Sequence, residues 1–342
     1  MGKIKSNVNS KNKSNKINNL RVIAIILVVL GHSIIIYSSS WNLYQTSNKV
    51  IFLDYFKRII DIIPMPLFFA ISGYLFYYSH KEDPHFLNFI IKKFKRLIIP
   101  FFCVGIFYLL PIRKLINYPG YINKSFFDIF IHNFLKVSDV GHLWYLPALF
   151  LIFIISELIL FIVEKIPRIC EKSEEIFFAI SIILYFLGYK IAFTYPPLMS
   201  AYSYIIWFAL GVFLNKYESI FNPIYNNKFL TMTFILINII GLIYCGLDNQ
   251  IRLALSLGIR TLTIINLFKL ISSNTNEFLD KLGKNSFGIY LFHSPLVYIT
   301  FSYIPNINPL IMIIVNFGIL GILSLLISFM IRKTTFKFII GE

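Results

Sequence analysis

Long apolar runs alternate with short polar, lysine-bearing segments along most of the chain, and the runs are each close to twenty residues long. A helix needs about 20 residues to cross a hydrocarbon core of about 30 Å, so each run reads as a membrane-spanning helix. The pattern predicts ten spans, at about residues 20–37, 61–79, 97–116, 142–164, 176–194, 198–214, 229–247, 251–271, 286–305 and 308–331. The expected fold class is all-α, a polytopic membrane protein with both termini on one side. Residues 1–19 hold five lysines and no acid, and read as a disordered basic lead-in. Residues 80–96 are amphipathic and basic, suited to lying along an interface. A polar outer loop with Trp41, Asp54, Lys57 and Arg58 precedes span 2, whose start Pro64, Pro66 and Gly73 should distort. No segment reads as a linker to a second domain.

Composition agrees with that pattern. The 342 residues are 57% hydrophobic, 18% aromatic and only 14% charged, which excludes an ordinary soluble domain. A net charge of +16 could suit nucleic acid, but the lysines and arginines cluster between the apolar runs. The partner they fit is an anionic lipid bilayer, and no nucleic acid is expected. With the N-terminus inside, 21 of the 32 basic residues fall in inner segments and 9 in outer ones. Both termini are therefore expected in the cytoplasm. Cys103, Cys170 and Cys245 have neither disulfide nor metal-ligand spacing, so no metal site is expected. The first run imitates a signal peptide, but its removal would leave an odd number of spans. Abundant Ile, Asn and Lys hint at an AT-rich bacterial genome.

Candidate chemistry lies in the ionisable residues inside the runs. Arg21 and His32 are eleven residues apart, close to three helical turns, so they share one face about 16 Å apart along the axis. A titratable group at such depth is costly and normally faces a protein interior or a wet cavity. The plainer reading makes Arg21 a positive-inside flank and His32 a core histidine. Glu157 and Arg260 read first as an ion pair across spans 4 and 8, with Arg260 alternatively an oxyanion or phosphate ligand. Trp144 could line a sugar site or, like Tyr145, belong to the interfacial aromatic belt. Ser72 and Gly73 read as close-packing positions.

Five segments carry a family resemblance. They are the Arg21 to His32 pair, PLFFAISGYLF in span 2, KKFKRLIIPFF entering span 3, GHLWYLPALF in span 4 and KNSFGIYLFHSPL in span 9. In this order they resemble the acyltransferase-3 family of membrane O-acyltransferases, nearest the branch of surface-polysaccharide O-acetyltransferases and fucose 4-O-acetylases. The resemblance implies an acyltransferase domain over residues 20–331 and a short cytoplasmic tail over 332–342, in a bacterial plasma membrane. It further implies transfer of an acetyl group from cytoplasmic acetyl-CoA, a co-substrate, to a sugar hydroxyl of a surface polysaccharide or its lipid-linked precursor. A chain ending at Glu342 is expected to transfer directly, without a fused esterase-like domain.

The same resemblance assigns roles. His32 is the natural general base, because imidazole titrates near neutral pH; an acyl-histidine intermediate is a second route. Arg21, Arg96 and Lys93 are placed for the donor's phosphates. The family's R-x-x-R stands here as Lys93-Phe94-Lys95-Arg96, with lysine in the first place. His142, Trp144, Tyr290 and His293 are the acceptor-side candidates, with His142, which opens span 4 on the outer side, equally readable as an exposed interfacial histidine and His293 as a structural or substrate-positioning residue rather than a catalytic one. Two rival readings remain at this stage. One is an exporter of polysaccharide or lipid-linked sugar, although no paired broken helices are seen. The other is an acyltransferase using succinyl or another acyl donor.

Overall fold

The computed structural model describes residues 2–82, 86–190, 195–247 and 253–342. The first part contains α1 (Gly2–Ser33), α2 (Ile51–Asp61), α3 (Pro64–Glu82), α4 (Phe86–Val104), α5 (Leu110–Leu115) and the short α6 (Phe126–Ile129). The middle holds α7 (Tyr145–Glu164), α8 (Ser173–Lys190), α9 (Pro196–Lys216), α10 (Asn222–Asn226), α11 (Lys228–Leu247) and α12 (Leu253–Leu270). The chain closes with α13 (Glu277–Lys284), α14 (Ser286–Tyr303), α15 (Pro309–Ile313) and α16 (Gly321–Arg332). No strand occurs among the described residues, so the all-α polytopic class holds.

Among the described residues, seven helical stretches are long and apolar enough to cross a membrane. They are Lys11–Ser33, Ile51–Lys81, Phe86–Leu115, Gly141–Glu164, Pro196–Lys216, Lys228–Leu247 and Pro309–Arg332. The pattern places spans 5, 8 and 9 where α8, α12 and α14 stand. Residues 191–194 and 251–252 of those expected spans lie outside the described residues. The α14 helix is less apolar for a physical reason. It is buried along nearly all its length, including His293, Ser294 and Thr300, and a helix that meets protein all round can carry polar side chains that lipid would reject. By contrast α11 presents Phe229, Ile237 and Ile240 outward, as a lipid-facing helix must.

Two expectations are corrected. Residues 2–19 are not a free lead-in but the opening turns of α1. Ile17 is buried, and the Asn18 side-chain amide donates to the Asp280 carbonyl at 3.2 Å and its carboxylate at 2.9 Å. Asn19 donates to the carbonyls of Ser272 and Asn274, and Lys13 pairs with Glu218. These polar residues have tertiary partners, which composition alone does not reveal.

The expected outer loop before span 2 also ends early, because residues 51–61 form α2. Lys57 pairs with Asp61 and Arg58 with Asp54, each four residues apart on one helix face. Pro64 and Pro66 then sit in the first turn of α3, where a missing N–H is least disruptive.

The helices pack so that α1 lies against α3, α13 and α14, and α14 lies against α16. The most extensive contact joins α3 to α9. The polar face of α1 is thereby turned onto α14 in the middle of the bundle.

Candidate active site

The two ionisable residues of α1 have different surroundings. Arg21 lines a pocket of about 150 Å³, a volume that holds one small ring in other proteins. Lys93, Arg96, Lys284 and Arg332 share the wall with Arg21, against one acid, Glu342, which pairs with Arg332. The Lys93 ammonium is turned inward, 4.4 Å from the Phe153 ring and 4.7 Å from the Phe89 ring. Five cations and one carboxylate make this wall attractive to an anion, and the arginine forks suit phosphate oxygens. Ser72, Tyr145 and Tyr290 also line the pocket, with the Ser72 and Tyr145 hydroxyls 3.2 Å apart.

Eleven residues further along α1, His32 meets two other imidazoles. Its ring centroid is 4.9 Å from that of His293 and 6.5 Å from that of His142, and those two are 5.4 Å apart. Tyr290 connects the two regions: it lines the basic pocket, and its ring lies 5.5 Å from His142 and 6.3 Å from His293. Its hydroxyl donates to the His142 carbonyl.

Local sequence explains how this cluster is held. Pro295 lies inside α14 and has no N–H, so the Leu291 carbonyl four residues back lacks its helical partner. His142 Nε2 takes that carbonyl at 3.0 Å. A carbonyl only accepts, so Nε2 of His142 carries the proton and Nδ1 the lone pair. His293 Nδ1 likewise approaches the carbonyls of Ile289 at 3.0 Å and Tyr290 at 2.9 Å. His293 is therefore protonated at Nδ1, with its lone pair on Nε2. Both lone-pair nitrogens, and Nδ1 of His32, are buried without a hydrogen-bond partner. Buried polar atoms are normally paired, so three orphans on neighbouring rings make this cluster a candidate for exchanging protons between the rings or with a polar group.

The sequence-predicted residues divide into those that converge and those that do not. Arg21, Lys93, Arg96 and Tyr290 meet at the basic pocket; His32, His142 and His293 meet at the imidazole cluster. His142 is buried rather than interfacial, because the turn Gly141–Trp144 folds it inward. Tyr145 is also buried, against Phe69 and Tyr290, and does not belong to an outer belt. Trp144 packs beside Phe69 and Tyr204, and it is not among the pocket-lining residues.

Arg260 does not line the pocket either; α12 packs on α11, α3 and α9 instead. The expected Glu157–Arg260 pair is replaced by His80, whose Nδ1 is 3.0 Å from Glu157 and whose Nε2 is 3.1 Å from Glu164. The reason is proximity, since His80 ends α3 alongside α7. Lys284 and Arg332 join the basic wall, though the sequence reading singled out neither. Their signal was position: each closes a helix on the same side as Arg21.

No curated protein and no solved structure matches the chain. A family model described as an acyltransferase domain matches residues 14–333. That range holds both the basic pocket's arginines and all three clustered histidines, and the chain belongs to the acyltransferase-3 family, whose members are membrane acyltransferases.

Proposed function

We propose that this acyltransferase moves an acetyl group from acetyl-CoA, held from the cytoplasmic side, to a sugar hydroxyl of a surface polysaccharide or its lipid-linked precursor in a bacterial plasma membrane. The observation that carries the reading is the placement of Arg21 and His32 on one helix face, one at an anion-attracting pocket and the other in a cluster of neutral imidazoles. A coenzyme A thioester fits that division. Its phosphates need cations and water, while its long arm can bring the thioester inward past Tyr145 and Tyr290.

In the chemistry, His32 takes the proton of the acceptor hydroxyl as its oxygen attacks the thioester carbon. The new C–O bond forms, the C–S bond breaks, and the proton passes to the departing thiolate. Ester and free thiol are the products.

Replacing Arg21 by Gln should raise the donor KM about 10- to 100-fold, the loss of one or two charge-assisted hydrogen bonds. Its kcat should change far less, because the imidazoles are untouched. Steady-state kinetics with labelled acyl-CoA check this.

The donor is tested by offering acetyl-CoA and succinyl-CoA separately to the protein in lipid vesicles with surface glycan as acceptor. Label entering the glycan from acetyl-CoA supports the proposal. Label entering only from succinyl-CoA replaces the donor, and glycan crossing the bilayer without acylation overturns the reading.

A further inference from the structure

Resting on that reading of His32 as the base, the geometry points to His293 as the residue that fixes which nitrogen of His32 is basic. An imidazole acts as a base only through its unprotonated nitrogen, so a base histidine needs a partner to hold its proton on the other one. In many sites that partner is a carboxylate, but among the described residues no carboxylate pairs with His32. The partners available are two imidazole lone pairs, on Nε2 of His293 and Nδ1 of His142.

Backbone geometry decides that both are acceptors. His293 Nδ1 faces two carbonyl oxygens and His142 Nε2 faces one, and each of these nitrogens must therefore donate. Distance then chooses between them. The His293 ring is 4.9 Å from His32 with a tilt of 56°, whereas His142 is 6.5 Å away and edge-on at 85°. Nδ1 of His32 and Nε2 of His293 are unpaired in this structure, but a centroid separation of 4.9 Å lets one nitrogen of each ring reach about 3 Å when the rings turn, whereas 6.5 Å does not. The buried, unpartnered nitrogen of His32 is Nδ1. His293 Nε2 accepts its proton, which leaves the lone pair of His32 on Nε2 for the acceptor hydroxyl.

His293 is accordingly a positioning residue, acting through His32. It is itself held rigidly, because its Nδ1–H is shared between the carbonyls of Ile289 and Tyr290 one turn back on α14.

The test combines tautomer and rate. The full chain is labelled with [15N]histidine in lipid nanodiscs, and the His32 signals are assigned among the six histidines by their absence from His32→Ala. Wild type should show His32 protonated at Nδ1. His293→Gln, whose amide oxygen can accept the same bond, should keep that tautomer and transfer acyl groups within about tenfold of wild type. His293→Leu should give mixed tautomers and lose about 100-fold or more in kcat with the donor KM unchanged, as removal of a supporting partner does.

A wild-type His32 protonated at Nε2, or a Gln variant as inactive as the Leu variant, overturns the assignment. A role in folding alone would lower both variants together and leave the tautomer unchanged. If wild type transfers no acyl group, the functional reading fails, and the tautomer measurement still decides the assignment.

Discussion

His32→Ala lowers kcat for acyl transfer by about 10³-fold, within the range that a positioned proton-transfer group supplies, and leaves the donor KM within about twofold. The separation follows from the structure. In the proposed reading the donor's charged end is handled by Arg21, Lys93 and Arg96, which line a pocket that His32 does not. The truncation is also tolerable for folding, since His32 is only partly buried. Initial rates at matched amounts of folded protein check the prediction. A variant that keeps kcat but loses donor affinity would move His32 to the donor side and dissolve the division of labour between the two ends of α1.

The largest effect on stability is expected at the crossing of α3 and α9. A Cβ on Gly211 would sit 1.9 Å from the Ala70 carbonyl oxygen, and one on Gly73 would sit 1.9 Å from the Phe208 carbonyl oxygen. Two backbones are thus in direct contact, and the obstructing atoms are main chain that cannot rotate away. This is the small-residue packing by which membrane helices approach closely. Gly211→Leu should cost about 4 kcal/mol or more, the scale reserved for severe overpacking, and should abolish recovery of monodisperse protein. Size-exclusion chromatography after detergent extraction reads the result directly. Gly258, which has nothing within 4 Å of a built Cβ, serves as the control: Gly258→Leu should purify normally.

Much of this organisation is legible in the sequence, for reasons that are themselves physical. Twenty-residue apolar runs report helices because lipid demands them, and an eleven-residue spacing puts Arg21 and His32 on one face because helical geometry does. Gly73 reads as a packing position for the same kind of local reason. What escapes is tertiary. The lysine-rich start of the chain looks unstructured until Asn18 and Asn19 find Asp280, Ser272 and Asn274. His142 looks interfacial because it opens a span, and only the fold brings the Leu291 carbonyl to it.

The one sequence clue to that contact is Pro295, which frees the carbonyl, but a proline does not announce who will claim it. Glu157 shows the same limit. Sequence identifies a carboxylate in need of a partner, while the packing of α3 beside α7 selects His80 rather than Arg260.

The central claim is that one continuous site joins the basic pocket to the imidazole cluster, with donor and acceptor approaching from opposite ends. It is tested most directly in sealed vesicles of known protein orientation, by adding labelled acetyl-CoA on one side and glycan acceptor on the other. The account predicts labelled glycan when the donor is on the side of Arg21, Arg96 and Arg332 and the acceptor is opposite, and none when the two are exchanged. Equal labelling in both arrangements, or labelling only in the exchanged one, contradicts it.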